Sequence, residues 1–127
     1  MNKKEILENN KLVALFMGAD FLFRNGNKYD QLFWWHDKNN TTICLNNLDY
    51  HKNWNRLMSV VEKISKDKNV LDIGITFNLG CDIYFKDLEI NEVPNCWTEF
   101  EETMIDCVYQ SCIKFIKWQR KRKKTKN

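Results

Sequence analysis

Seven cationic residues, Lys117, Arg120, Lys121, Arg122, Lys123, Lys124 and Lys126, stand within the last eleven positions of this 127-residue chain. Cations at that density can neutralise the phosphates of DNA or RNA, and binding of that kind weakens steeply with salt. The same run has an ordinary use as well. Cations stabilise a helix C-terminus through the macrodipole, and Glu99, Glu101 and Glu102 would suit the N-terminus of the same helix. Residues 1–116 hold 13 Lys and Arg against all 17 Asp and Glu, a net of −4, so the overall +3 conceals a divided charge distribution. The pattern leaves open a nucleic acid, an acidic protein partner and a solvated helix end or tail.

Aromatic residues are the second candidate chemistry. Tryptophans at 34, 35, 54, 97 and 118, with Tyr29 and Phe33, could stack bases or anchor a protein partner, although core packing is the usual fate of such side chains. Trp34 and Trp35 are the exception. Neighbours on a strand point to opposite faces, which makes this pair the first candidate for a contact at an edge or groove.

Other reactive groups lack the context that chemistry requires. His36 beside Asp37 and His51 after Tyr50 are the only histidines, and neither belongs to an HxxxH or HExxH spacing. The five cysteines, Cys44, Cys81, Cys96, Cys107 and Cys112, form no CxxC pair, which reads as small buried hydrophobes in a reducing compartment. Asp72 and Asp82 fall at outward positions of predicted strands, with Asp87 and Glu89 beyond them. Gly18, Gly26, Gly74 and Gly80 build no phosphate-cradling loop. No metal, cofactor or catalytic residue is expected.

The elements that would carry these residues follow from periodicity. An apolar pattern through Ile6, Leu7, Leu12, Val13, Leu15 and Phe16 predicts a first helix stopped by Gly18. Phe21–Arg24 and Tyr29–His36 flank Asn25-Gly26-Asn27, a strong hairpin signal, and Thr41–Leu45 is a candidate third strand after a turn at 37–40. Both faces of the 29–36 strand are partly apolar, as a sheet covered on each side by helices would be. Asn53 is placed to cap a second helix with Trp54, Leu57, Met58, Val61 and Ile64 on its core stripe. Alternation in 71–77 and 81–86 around Asn78-Leu79-Gly80 predicts a second hairpin. Thr98-Glu99-Phe100-Glu101 has the form of a capping box, predicting a third helix over about 98–122 with Phe100, Met104, Val108, Cys112 and Phe115 on its core side.

These elements predict an α/β chain of the α+β type: a three-layer α/β/α sandwich with a mostly antiparallel sheet of about four strands and three helices. One domain over 1–118 is expected, with a basic tail at 119–127. The size suffices for a core without staples, and the composition is neither disordered nor fibrous. No stretch approaches the roughly 20 apolar residues of a membrane span, and residues 1–11 contain no signal-peptide core.

The segment Tyr50–Ser65, YHKNWNRLMSVVEKIS, resembles the YHxxWxxLM(P/S)VVEKI motif of small proteins from bacteriophages and prophages of Bacteroidetes, a family described as a phage α/β/α sandwich domain. The matching positions include Tyr50, His51, Trp54, Leu57, Met58 and Glu62. Residues 10–18, NKLVALFMG, are similar to the family's NKLIAxFMG opening, and Val108–Trp118 to its closing VxxFIKW helix. Ser59 stands where relatives often have proline, and residues 19–49 and 67–97 carry no motif of the family. Sixteen Lys and sixteen Asn, both with A-rich codons, fit an AT-rich genome of that kind.

The family has no settled activity, so the resemblance implies an accessory protein that binds a host or phage macromolecule in the bacterial cytoplasm, modulating the host or countering its defence. A nucleic-acid-associated protein using the basic tail is the alternative, and a virion component a further one. The third helix could also pair with its copy in a homodimer.

Overall fold

A computed structural model describes residues 1–24, 27–34, 42–44 and 47–125, and side chains over 1–20 and 47–123. The fold is mixed α/β, with three α-helices and antiparallel sheets. The chain forms two compact units, Met1–Tyr50 and His51–Asn127, where the sequence pattern predicts one domain over 1–118. Among the described residues the strands form two three-stranded sheets, where the sequence predicts one sheet of about four.

In the first unit, α1 (Lys3–Phe16) is capped by Asn2, whose Oδ1 accepts from Glu5 N at 2.9 Å. It ends as predicted at Gly18, whose φ of +98° is a conformation that side chains resist. The apolar stripe read from the sequence is only partly buried. Val13 and Ala14 are fully enclosed, but Asn9 and Asn10 share their face, and Asn10 Nδ2 donates to the Leu48 carbonyl at 3.0 Å. That bond removes the usual cost of a buried amide.

Next come β1 (Ala19–Arg24), β2 (Asn27–Trp34) and β3 (Thr42–Cys44), antiparallel in that order. The pairing includes Ala19↔Trp34 and Arg24↔Asn27, with a shift of register between Phe21 and Phe23. Asn25, Gly26, His36 and the 37–40 turn lie outside the described residues.

The second unit begins with α2 (Trp54–Ser65), where Asn53 Oδ1 accepts from Arg56 N as predicted. Its core stripe is rotated from the expected one. Leu57, Val60, Val61 and Ile64 are buried, whereas Trp54 and Met58 are 40% and 42% exposed. At 100° per residue the buried set centres on Leu57 and Ile64, which puts Val60 inside and carries Met58 past the edge.

Strands β4 (Val70–Thr76) and β5 (Gly80–Phe85) form the second predicted hairpin, with Asn78 at φ +64° in the turn and Leu79 N bonded to Thr76 O. Leu71 falls at an irregularity between the Val70↔Phe85 and Asp72↔Tyr84 pairs and is exposed rather than inward. Phe77, also expected inward, is exposed in the turn.

A 3-10 turn at Ile90–Glu92 precedes β6 (Thr98–Glu99) and then α3 (Met104–Thr125). Thr98-Glu99 is therefore a strand and not a helix cap. Both residues pair with β5, through Gly80↔Glu99 and Cys81↔Thr98, and the helix starts five residues later, where Thr103 Oγ1 accepts from Asp106 N. Pairing with a formed sheet outweighs the local capping pattern. Helices α2 and α3 touch each other and the same sheet, so this unit has two layers. Among the described residues, no helix is long and apolar enough to cross a membrane.

Candidate functional site

Helix α3 runs without interruption through most of the segment expected to be a tail, and this decides how its cations are displayed. The first half is a core element. Cys107, Val108, Tyr109, Ser111, Cys112, Ile113, Phe115 and Ile116 are all buried, a wider face than the predicted stripe. Phe85 of β5 stacks on Phe115 at 6.1 Å and meets Trp118 edge-on at 5.2 Å.

Beyond Ile116 three side chains tie the helix to the rest of the unit. Trp118 Nε1 donates to the Glu92 carbonyl at 3.2 Å, and Gln119 Nε2 donates to Asp67 Oδ2 at 3.0 Å. Arg122 lies over the Trp118 ring, 4.8 Å from its centroid, and reaches Glu92 Oε2 at 3.5 Å. Residues 118, 119 and 122 thus face the fold. Lys117, Arg120 and Lys121, at i, i+3 and i+4, form an exposed stripe whose edge, Lys121, borders Trp118 and Arg122; Lys124 follows at i+7 along the same helix. Exposed Lys123 flanks it. The side chain of Lys124 and all of Lys126 lie outside the described residues.

Shallow grooves run along both flanks of Trp118. One, of about 420 Å³, is bounded by Val93 and Pro94 opposite Trp118, Lys121 and Arg122. The other, of about 210 Å³, is bounded by Asp67, Lys68 and Asn69 opposite Gln119 and Lys123. A cationic ridge beside an aromatic ring can hold phosphates and a planar group together.

Of the expected contact residues, Lys117, Arg120, Lys121 and Lys123 share this exposed surface, while Arg122 turns inward to act as a clamp. Trp34 closes β2 in the first unit; its side chain and Trp35 lie outside the described residues. The tryptophan beside the cations is Trp118, one of the five candidates for stacking, and its neighbour Gln119 is a clamp that the sequence pattern did not single out. Continuing the helical period past Ile116 would have separated 117/120/121/124 from 118/119/122.

The family-like segment divides between roles. Tyr50 and Leu57 are buried, and the His51 ring sits against Tyr109 with centroids 6.1 Å apart. Trp54 and Met58 are exposed, as is Glu62, which pairs with Lys66 at 3.3 Å in the predicted i,i+4 contact.

Four cysteines converge where β5, β6 and α3 meet, an arrangement invisible in their spacing. Cys81, Cys96, Cys107 and Cys112 are buried and free. Burial pushes the Cys81 thiol up to about 11 and Cys96 up to about 12, and raises Cys107 and Cys112 as well. Thiols so held are protonated, which makes them poor nucleophiles and poor ligands. A polar network runs between them: Ser111 Oγ meets the Cys81 carbonyl at 3.1 Å and Thr98 Oγ1 at 2.9 Å, Cys107 Sγ donates to Thr98 O, and Lys114 Nζ reaches Thr98 Oγ1 at 3.1 Å. These bonds lock β6 against α3. Among the described residues, no group of three or more His, Cys, Asp or Glu is placed to hold a metal.

No family model, curated protein or solved structure matches the chain.

Proposed function

We propose that this protein works by binding, without a reaction of its own, and that its partner is a nucleic acid held by the exposed cationic face of α3. The observation that supports this reading is the division of one helix between clamps at Trp118, Gln119 and Arg122 and an exposed row of cations at Lys117, Arg120 and Lys121 beside them. A folded helix holds those charges at fixed spacing, which lowers the ordering cost of binding relative to a flexible tail. The resemblance to small phage proteins supplies the setting, an accessory protein acting on host or phage macromolecules in a bacterial cytoplasm.

The test is titration of the full chain with a labelled oligonucleotide at several salt concentrations. Three phosphate contacts, at Lys117, Arg120 and Lys121, would give a slope of log K against log salt of about −2 to −3. The double substitution Lys117→Glu with Lys121→Glu should abolish binding and leave the circular dichroism spectrum unchanged. Absence of binding at low salt, or full affinity in the double variant, would sink the proposal.

A protein partner is the second reading, favoured by Trp54 and Met58, large apolar side chains exposed on α2 within the family-like segment. Affinity purification from infected lysate separates the two readings. Partners that survive nuclease point to α2, and partners lost with nuclease point to α3.

A further inference from the structure

The groove between residues 91–94 and α3 has a composition that phosphate binding alone does not use. Its walls are apolar where Val93, which is 45% exposed, and Pro94 face the Trp118 ring. Lys121 and Arg122 stand at one side, so the groove opens directly onto the cationic stripe. Asn91 and Glu92 place an amide and a carboxylate on the rim, both able to bond the edge of a heterocycle. The groove, about 420 Å³, is open to solvent and wide enough to receive one planar group at its surface.

Arg122 is the informative residue. Its guanidinium is held over the Trp118 ring and by Glu92, so a planar cation is already oriented at the groove before any ligand arrives. Bases taken out of a stack are commonly received on aromatic rings and on Arg guanidinium planes. A duplex offers phosphates to Lys117, Arg120 and Lys121 but keeps its base faces covered. Only an unpaired strand can present both groups at once.

Resting on the nucleic-acid reading above, we infer that the protein is a single-strand binder: one unstacked base enters the groove between Val93–Pro94 and Trp118–Arg122, and the flanking phosphates lie along Lys117, Arg120 and Lys121. The base supplies affinity by stacking and the backbone supplies it by charge, so the two contributions are separable.

The experiment compares three ligands on the full chain at one low salt concentration: a thymidine oligomer, an abasic oligomer of equal length and the corresponding duplex. The thymidine oligomer should bind at least about tenfold tighter than the abasic one, the loss expected when a stacked base is removed. It should also bind tighter than the duplex, and only base-bearing single strands should quench tryptophan emission. Val93→Asp, a change at an exposed wall position, should erase the advantage of thymidine over abasic ligand while backbone binding remains. Trp118→Phe should reduce the quenching. Equal affinity for all three ligands, or tightest binding to duplex, overturns the single-strand inference and leaves the nucleic-acid reading standing. Failure of all three to bind overturns both.

Discussion

Within α3, residues 107–116 and residues 117–125 share one continuous backbone in opposite surroundings. In the first stretch every side chain but Gln110 and Lys114 is buried, and the helix is stabilised from nearly all sides by packing. In the second, Trp118, Gln119 and Arg122 meet the fold, and Lys117, Arg120, Lys121 and Lys123 are exposed. An isolated helix of nine residues is marginal in water, so the second stretch depends on the first as a nucleus and on its three clamps for order. The lesson is a division of labour: one segment supplies stability and the other displays charge, and mutations should sort accordingly.

The largest effect should come from the buried stretch. Phe115→Ala removes a ring packed on Phe85 and Trp118 and should cost about 3–5 kcal/mol in denaturant unfolding. The charge reversals at Lys117 and Lys121 should shift stability by less than about 0.5 kcal/mol, so similar losses from both would break the comparison.

Alkaline titration probes the buried stretch again. Its thiols and Tyr109 are raised by burial, as are Cys81 and Cys96 beside it. The unfolded chain releases thiol protons near pH 9, before the folded chain does, so stability is intact below that pH. It should decline as pH rises through about 11, the folded value of Cys81. A thermal midpoint that stays flat from neutral pH to that point would contradict the burial of these groups.

Smaller again, Ser111→Ala deprives the Cys81 carbonyl and Thr98 of a buried partner and should cost about 1–2 kcal/mol by thermal unfolding. The smallest effect is expected from Gln119→Ala. Global stability should change by under about 0.5 kcal/mol, while hydrogen exchange in 119–125 quickens because one clamp is lost. Accelerated exchange throughout α3 would show that the two stretches open as one unit.

Elements set by local chemistry were legible in the sequence: the Asn53 cap, the stop at Gly18 and the turn around Asn78. Each depends on a backbone preference within a few residues. What was hidden depends on partners distant in the chain. Thr98-Glu101 has every local mark of a helix start, and only β5, almost twenty residues earlier, makes Thr98-Glu99 a strand. Asn10 looks polar and solvent-bound until the Leu48 carbonyl is placed against it. The basic run was plain, but its two faces were not, because Asp67 and Glu92 decide which side is anchored.

Gly80 pairs with Glu99 at the start of β5, and a Cβ built there would collide with the Trp97 ring and meet the Thr98 carbonyl at 2.6 Å. The exposed Trp97 ring could swing away, but the Thr98 carbonyl is backbone and cannot step aside cheaply. In mutational terms the position is a closed gate. Even alanine, the smallest replacement, would push β6 from its partner, so among variants selected for folding codon 80 should tolerate only synonymous changes.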